Sequence, residues 1–130
     1  MAPSVKPPLK FRWWGLVWGI VTFFWIPIED VNMVWLTAIA VVWAAWLGVW
    51  ATWRGVLAGW RWRLALLGAG AGLLFFPLAI AFILFKSGLH AHGFLDFSLY
   101  QISRLAWMTP VWMVFGGGAG AILTRFRFWS

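Results

Sequence analysis

A chain of 130 residues is ordinarily one domain, yet 64% of its residues are hydrophobic and only 10% are charged, where soluble domains carry roughly a quarter. A water-soluble fold of this size has too small a core to hide that much apolar surface, so the composition excludes a soluble domain and points to lipid as the solvent. The net charge of +7 does not mark a nucleic-acid partner either, because the cations flank apolar runs instead of gathering on a polar domain.

Cysteine is absent, which removes a disulfide framework, a thiolate metal site and a cysteine nucleophile. The chain starts with a proline-broken lead, residues 1–10, holding Pro3, Pro7 and Pro8 and expected to be extended. Its basic-then-apolar order is that of a secretory signal. The tryptophans of WWGLVWGIV, the lack of a small-residue cleavage site and the hydrophobic segment that follows predict an uncleaved anchor instead.

Four apolar runs predict an all-helical four-helix membrane bundle, one polytopic domain with spans near 11–28, 31–53, 64–85 and 105–124. The first is short: Trp13 to Ile28 gives about 24 Å of helix, which Phe11 and a snorkelling Arg12 would extend. Pro27, Ile28, Glu29 and Asp30 end that helix, with Asp30 as the expected cap of the next, making a tight hairpin. Pro77 and Pro110 lie inside the third and fourth spans and are expected to kink them. An outer loop, residues 86–104, joins those two, and Ser98 followed by Gln101 has the spacing of a capping box near its end.

Charge predicts the orientation. Lys6, Lys10, Arg12, Arg54, Arg61, Arg63, Arg125 and Arg127 lie at one end of the spans, whereas the other end holds Lys86, Arg104 and all three acids, Glu29, Asp30 and Asp96. The positive-inside rule therefore places both termini in the cytoplasm. The expected setting is the inner membrane of a bacterium or an equivalent energy-transducing membrane.

Small residues four apart are the expected helix contacts, because backbones that approach closely gain the dispersion energy that lipid cannot supply. Each span has such a pair: Gly15 and Gly19, Ala44 and Gly48, Gly68 and Gly72, Gly116 and Gly120. The dense stretches GAGAG at 68–72 and GGGAGA at 116–121 predict that the third and fourth helices pack on each other there or on another protein. About half of the 14 tryptophans, namely Trp13, Trp14, Trp53, Trp60, Trp62, Trp107 and Trp129, suit an interfacial belt. Trp43, Trp46 and Trp50 form a helical stripe, read either as core or lipid-facing packing or as a flat surface for a pigment, quinone or lipid.

Polar chemistry is sparse. Threonines such as Thr22, Thr37 and Thr109 are the polar residues well inside the spans, and no ionisable group is expected at mid-span, which argues against an ion-coupled transporter such as the small multidrug type. His90 and His92 of the outer loop are interfacial loop residues on the plain reading and pigment, haem or metal ligands on the sharper one, with Asp96 as a possible helper. Two histidines alone complete no zinc site. No serine, histidine and acid are arranged as a hydrolase requires, so no catalytic residue and no metal site are assigned, and the cofactor is left unknown. Arg54, Arg61 and Arg63 with Trp60 and Trp62 form a basic aromatic patch suited to anionic headgroups, or alternatively to an acidic cytosolic partner.

The stretch VFGGGAGAILTRF, residues 114–126, resembles the glycine-rich GGxxGAxxR pattern of the small four-helix fluoride channel family. It covers about a tenth of the chain, lies at the carboxyl end instead of the amino end, and is not accompanied by that family's threonine and phenylalanine-rich pore motif. No pore residue is carried over. The functional expectation is a non-catalytic accessory or assembly subunit of a larger membrane complex, partnered by lipid and by other membrane subunits or copies of itself. A small homo-oligomeric channel or transporter is the alternative, and a pigment, haem or metal carrier using the histidines comes third.

Overall fold

The computed structural model describes residues 6–28, 32–89 and 97–127. Over these the chain forms four helices, α1 (Leu9–Ile28), α2 (Met33–Trp53), α3 (Arg63–Leu89) and α4 (Leu99–Arg127), and no strand. Helices are the element that satisfies every backbone donor and acceptor within a segment, which a hydrocarbon solvent demands. α2, α3 and α4 are long and apolar enough to cross a membrane. α1 is 20 residues long and falls outside that set, in keeping with the shortness of the first apolar run. Its sequence carries Lys10 and Arg12 together with four tryptophans, whose indole N–H makes them less apolar than aliphatic residues.

The helix ends differ from those expected, for reasons visible in the local chemistry. Asn32, and not Asp30, caps α2: its side-chain carbonyl accepts from Val34 N at 3.0 Å and Trp35 N at 3.1 Å. Asp30 lies outside the described residues. At the far end of α2, Gly55 sits at φ 76° and donates to Thr52 O, while Val56 N donates to Ala51 O. These paired bonds are a Schellman stop, which needs the left-handed backbone that glycine adopts without strain.

α3 continues past Phe85 to Leu89, so Lys86 and Ser87 are not loop residues; both are buried in its last turns. A cation near a helix C-terminus is favoured by the helix dipole, so Lys86 is accommodated in the last turns of α3. α4 starts at Leu99, six residues before the expected span, on the Ser98 and Gln101 capping box: Ser98 Oγ accepts from Gln101 N at 3.3 Å and Gln101 Oε1 accepts from Ser98 N at 2.8 Å. The connection between α3 and α4 is thus residues 90–98, shorter than the 86–104 loop expected. Both prolines lie inside continuous helices, Pro77 in α3 and Pro110 in α4.

Successive helices run antiparallel. Along the α3–α4 seam Leu64 faces Gly120, Gly68 faces Gly116 and Gly72 faces Trp112, so each four-residue step along α3 matches a four-residue step back along α4. A side-chain carbon on Gly68 or Gly116 would overlap the other's carbonyl, and one on Gly120 would overlap that of Leu64. The two backbones touch, which is the geometry small residues permit. α2 lies on the other side of α3, with the Gly48 position 3.1 Å from Ala71 Cβ.

α1 is held differently, through aromatic side chains inserted toward its glycines. The Trp46 ring occupies the space a Gly15 side chain would need, and the Trp43 ring lies 3.6 Å from the Gly19 position. Phe11 stacks on Trp46 with centroids 5.3 Å apart, and Trp25 meets Trp35 at 5.7 Å. Trp43 Nε1 donates to Thr22 Oγ1 at 3.2 Å, so one of the deep indoles is satisfied by a buried hydroxyl.

The buried core occupies one half of the bundle. Leu36 and Ala40 of α2, Phe75, Ala79 and Ile83 of α3, Phe97 just before α4 and Leu105 of α4 form one cluster. All of these lie toward the end that holds Asn32, Leu89 and Ser98. The opposite half, toward Arg54, Arg63 and Arg125, has glycines along the α3–α4 seam and is open between α2 and α4.

Candidate functional site: an apolar groove above the arginine end

The openness follows from residue size. α3 presents Leu64, Leu67, Gly68, Ala71, Gly72 and Phe75 as a floor, α2 supplies one wall through Val41, Ala44, Ala45, Gly48, Val49 and Thr52, and α4 supplies the other from Trp112 to Leu123. Because Gly68, Gly72, Gly116 and Gly120 draw α4 down onto α3, and Ala44 and Gly48 draw α2 onto the neighbouring face, nothing long enough projects between the walls to fill the space. The groove has a volume of about 420 Å³, or about 1020 Å³ with the space open to the outside, and its lining is almost wholly apolar.

Phe75, fully buried, and Trp112 lie together at its inner end, ring centroids 5.8 Å apart. Among the described residues the Trp112 indole N–H is buried without a partner, as are those of Trp18 and Trp46. At the outer end the lining stops at Thr52, Leu64 and Leu123, each one or two residues from an arginine. Arg63 Nε donates to Val56 O at 2.8 Å and a terminal nitrogen donates to Thr52 O, which ties the α2–α3 turn to the start of α3. Arg54 lies over the Trp50 ring at 5.2 Å and Arg61 over Trp62 at 5.7 Å, cation–π contacts that steady each guanidinium without neutralising it. No acid occurs between Asp30 and Asp96 or beyond Asp96, so this end has no carboxylate of its own from those stretches.

The residues singled out in the sequence separate into three groups. Ala44, Gly48, Gly68, Gly72, Gly116 and Gly120 converge on the groove, with Arg54, Arg61 and Arg63 at its end. Gly15 and Gly19 lie apart, against Trp46 and Trp43; the aromatic stripe is therefore packed on α1 at two of its members, and only Trp50 is left exposed. His90, His92 and Asp96 fall outside the described residues. Among the described residues no group of three or more His, Cys, Asp or Glu side chains is placed to hold a metal. Phe75 and Trp112, which close the groove inside, carried no signal of their own in the sequence.

Comparisons with protein-family models, with curated proteins and with solved structures each return no match.

Proposed function

We propose that this chain is a non-catalytic subunit of a larger membrane assembly, and that the outer face of α4 is where it meets a neighbouring membrane protein. The observation that carries the reading is an uncovered apolar helix face with a glycine at its centre. Trp107, Val111, Val114, Gly118 and Ile122 form an exposed stripe at helical spacing. Among the described residues nothing lies within 4 Å of the Gly118 side-chain position. A glycine in a helix interior costs roughly 1 kcal/mol relative to alanine, and here no contact among the described residues offsets it.

α4 is also the least covered span. In its most apolar stretch 11% of residues are buried, against 22% for α2 and for α3. Within lipid, a face that combines aromatic and small residues is suited to close helix contact. The orientation that goes with this reading has the arginine-bearing end in the cytoplasm, by the positive-inside rule.

The test is purification from native membranes in mild detergent, with and without Gly118→Leu. The reading predicts stoichiometric membrane-protein partners that are lost in the variant while the chain itself stays helical and monodisperse. A pure homo-oligomer that moves a solute would instead establish the channel or transporter reading, and a coloured preparation would point to a pigment or haem carrier.

A further inference from the structure

A second surface, independent of the α4 outer face, is shaped for a ligand of a different kind. We infer that the groove between α2, α3 and α4 is a binding site for one anionic membrane phospholipid, one of its two acyl chains on the glycine floor and its phosphate at the arginine end.

Length supports this first. From Leu64 to Phe75 the floor covers eleven residue steps, about 16 Å at about 1.5 Å per step. One leaflet's share of a ~30 Å hydrocarbon core is about 15 Å. The groove therefore accommodates a chain that enters from one membrane face and ends near the midplane, where Phe75 and Trp112 close it.

Width favours a thin occupant over a helix. Spread over about 16 Å, the volume of about 420 Å³ leaves a section of roughly 26 Å², and even the full 1020 Å³ leaves roughly 64 Å². A helix about 10 Å across needs roughly 80 Å². The space suits something thinner than a partner's helix, and the nearly complete absence of polar lining suits hydrocarbon.

Charge selects the headgroup. The groove ends at Thr52, Leu64 and Leu123, beside Arg54, Arg63 and Arg125, with Arg61 in the same turn. Arg54, Arg61 and Arg125 are exposed, and the α2–α3 turn and the helices it joins hold no acid. Guanidinium groups bind phosphate by paired hydrogen bonds. A zwitterionic lipid would bring its own cation into that cluster, so the site discriminates in favour of net negative headgroups.

The test uses the full chain in nanodiscs of phosphatidylcholine doped with phosphatidylglycerol, released into detergent and weighed by native mass spectrometry. The expected result is one retained phosphatidylglycerol per chain. Ala119→Phe and, from the opposite wall, Ala45→Phe fill the groove at partly open positions, and each should abolish retention of either lipid while helicity and monodispersity stay unchanged. Using both keeps the test decisive if one variant fails to fold. Arg54→Gln with Arg61→Gln should keep a lipid bound but cut the preference for phosphatidylglycerol by roughly thirtyfold, about fivefold for each cation. Equal retention of the two lipids by the unaltered chain, undiminished retention in both filled-groove variants, or a second copy cross-linked through the groove would overturn the assignment.

Discussion

The two halves of this bundle are made from the same three helices but by opposite means. Toward Asn32 and Ser98, large side chains meet: Leu36, Phe75, Ile83 and Leu105 are fully or almost fully buried and fill the space between α2, α3 and α4. Toward the arginines, backbones meet and side chains do not. There Gly68, Gly72, Gly116 and Gly120 bring α3 and α4 into contact and leave an unfilled groove beside them. Close backbone approach and a filled interior are alternative solutions, because the residues small enough for the first are too small for the second.

The comparison is broken most forcefully by giving the glycine seam a side chain. Gly68→Leu places a leucine on the Gly116 carbonyl, and backbone cannot swing aside as a side-chain tip can. The expected loss exceeds about 3 kcal/mol, the upper part of the overpacking range, read by reversible unfolding in mixed micelles. Phe75→Ala attacks the filled half. As Phe75 is 0% exposed, truncation leaves a cavity and should cost about 3 kcal/mol; a loss under about 1 kcal/mol would show that the half is less well filled than described.

Smaller effects sharpen the distinction. Asn32→Ala removes the acceptor for Val34 N and Trp35 N and should cost about 1 kcal/mol, with Asn32→Asp largely restoring stability. Thr22→Val deletes the partner of Trp43 Nε1, and the expected cost is about 0.6 kcal/mol, the usual worth of an interhelical hydrogen bond in a membrane. Smallest should be Ala119→Phe on the groove wall, within about 0.5 kcal/mol of the unaltered chain, because the added ring meets empty space instead of a packed core. The same substitution in the filled half would be unacceptable.

Much of this was legible in the sequence. The apolar runs give the helices, the glycine pairs lie where α3 and α4 touch, and the Ser98 and Gln101 spacing gives the start of α4. The helix ends are harder to place because Lys86 and Arg104 suggest loop, although a cation in the last turn suits the dipole and an exposed arginine tolerates an interfacial first turn. Asn32 was hidden by the acids beside it. The groove was not legible at all. Helices that are apolar all round carry no period to mark which face turns inward, so nothing announced that Ala44, Gly72 and Ala119 share one space. The same uniformity hid Phe75 and Trp112 among twelve phenylalanines and 14 tryptophans.

The central claim is that α3 and α4 meet by backbone contact while α2 and α4 stand apart across an open groove. The chain has no cysteine, so paired substitutions test this directly in native membranes. At Gly117 a side-chain carbon would lie 3.5 Å from Ala69 Cβ, within the ~3.5–4.5 Å that a disulfide requires. Ala69→Cys with Gly117→Cys should therefore oxidise readily, whereas Ala45→Cys with Ala119→Cys, on opposite walls, should stay reduced yet be bridged by a longer bifunctional reagent. Ready disulfide formation between positions 45 and 119 would contradict the account, since it would mean that α2 and α4 close over the glycine floor and leave no groove.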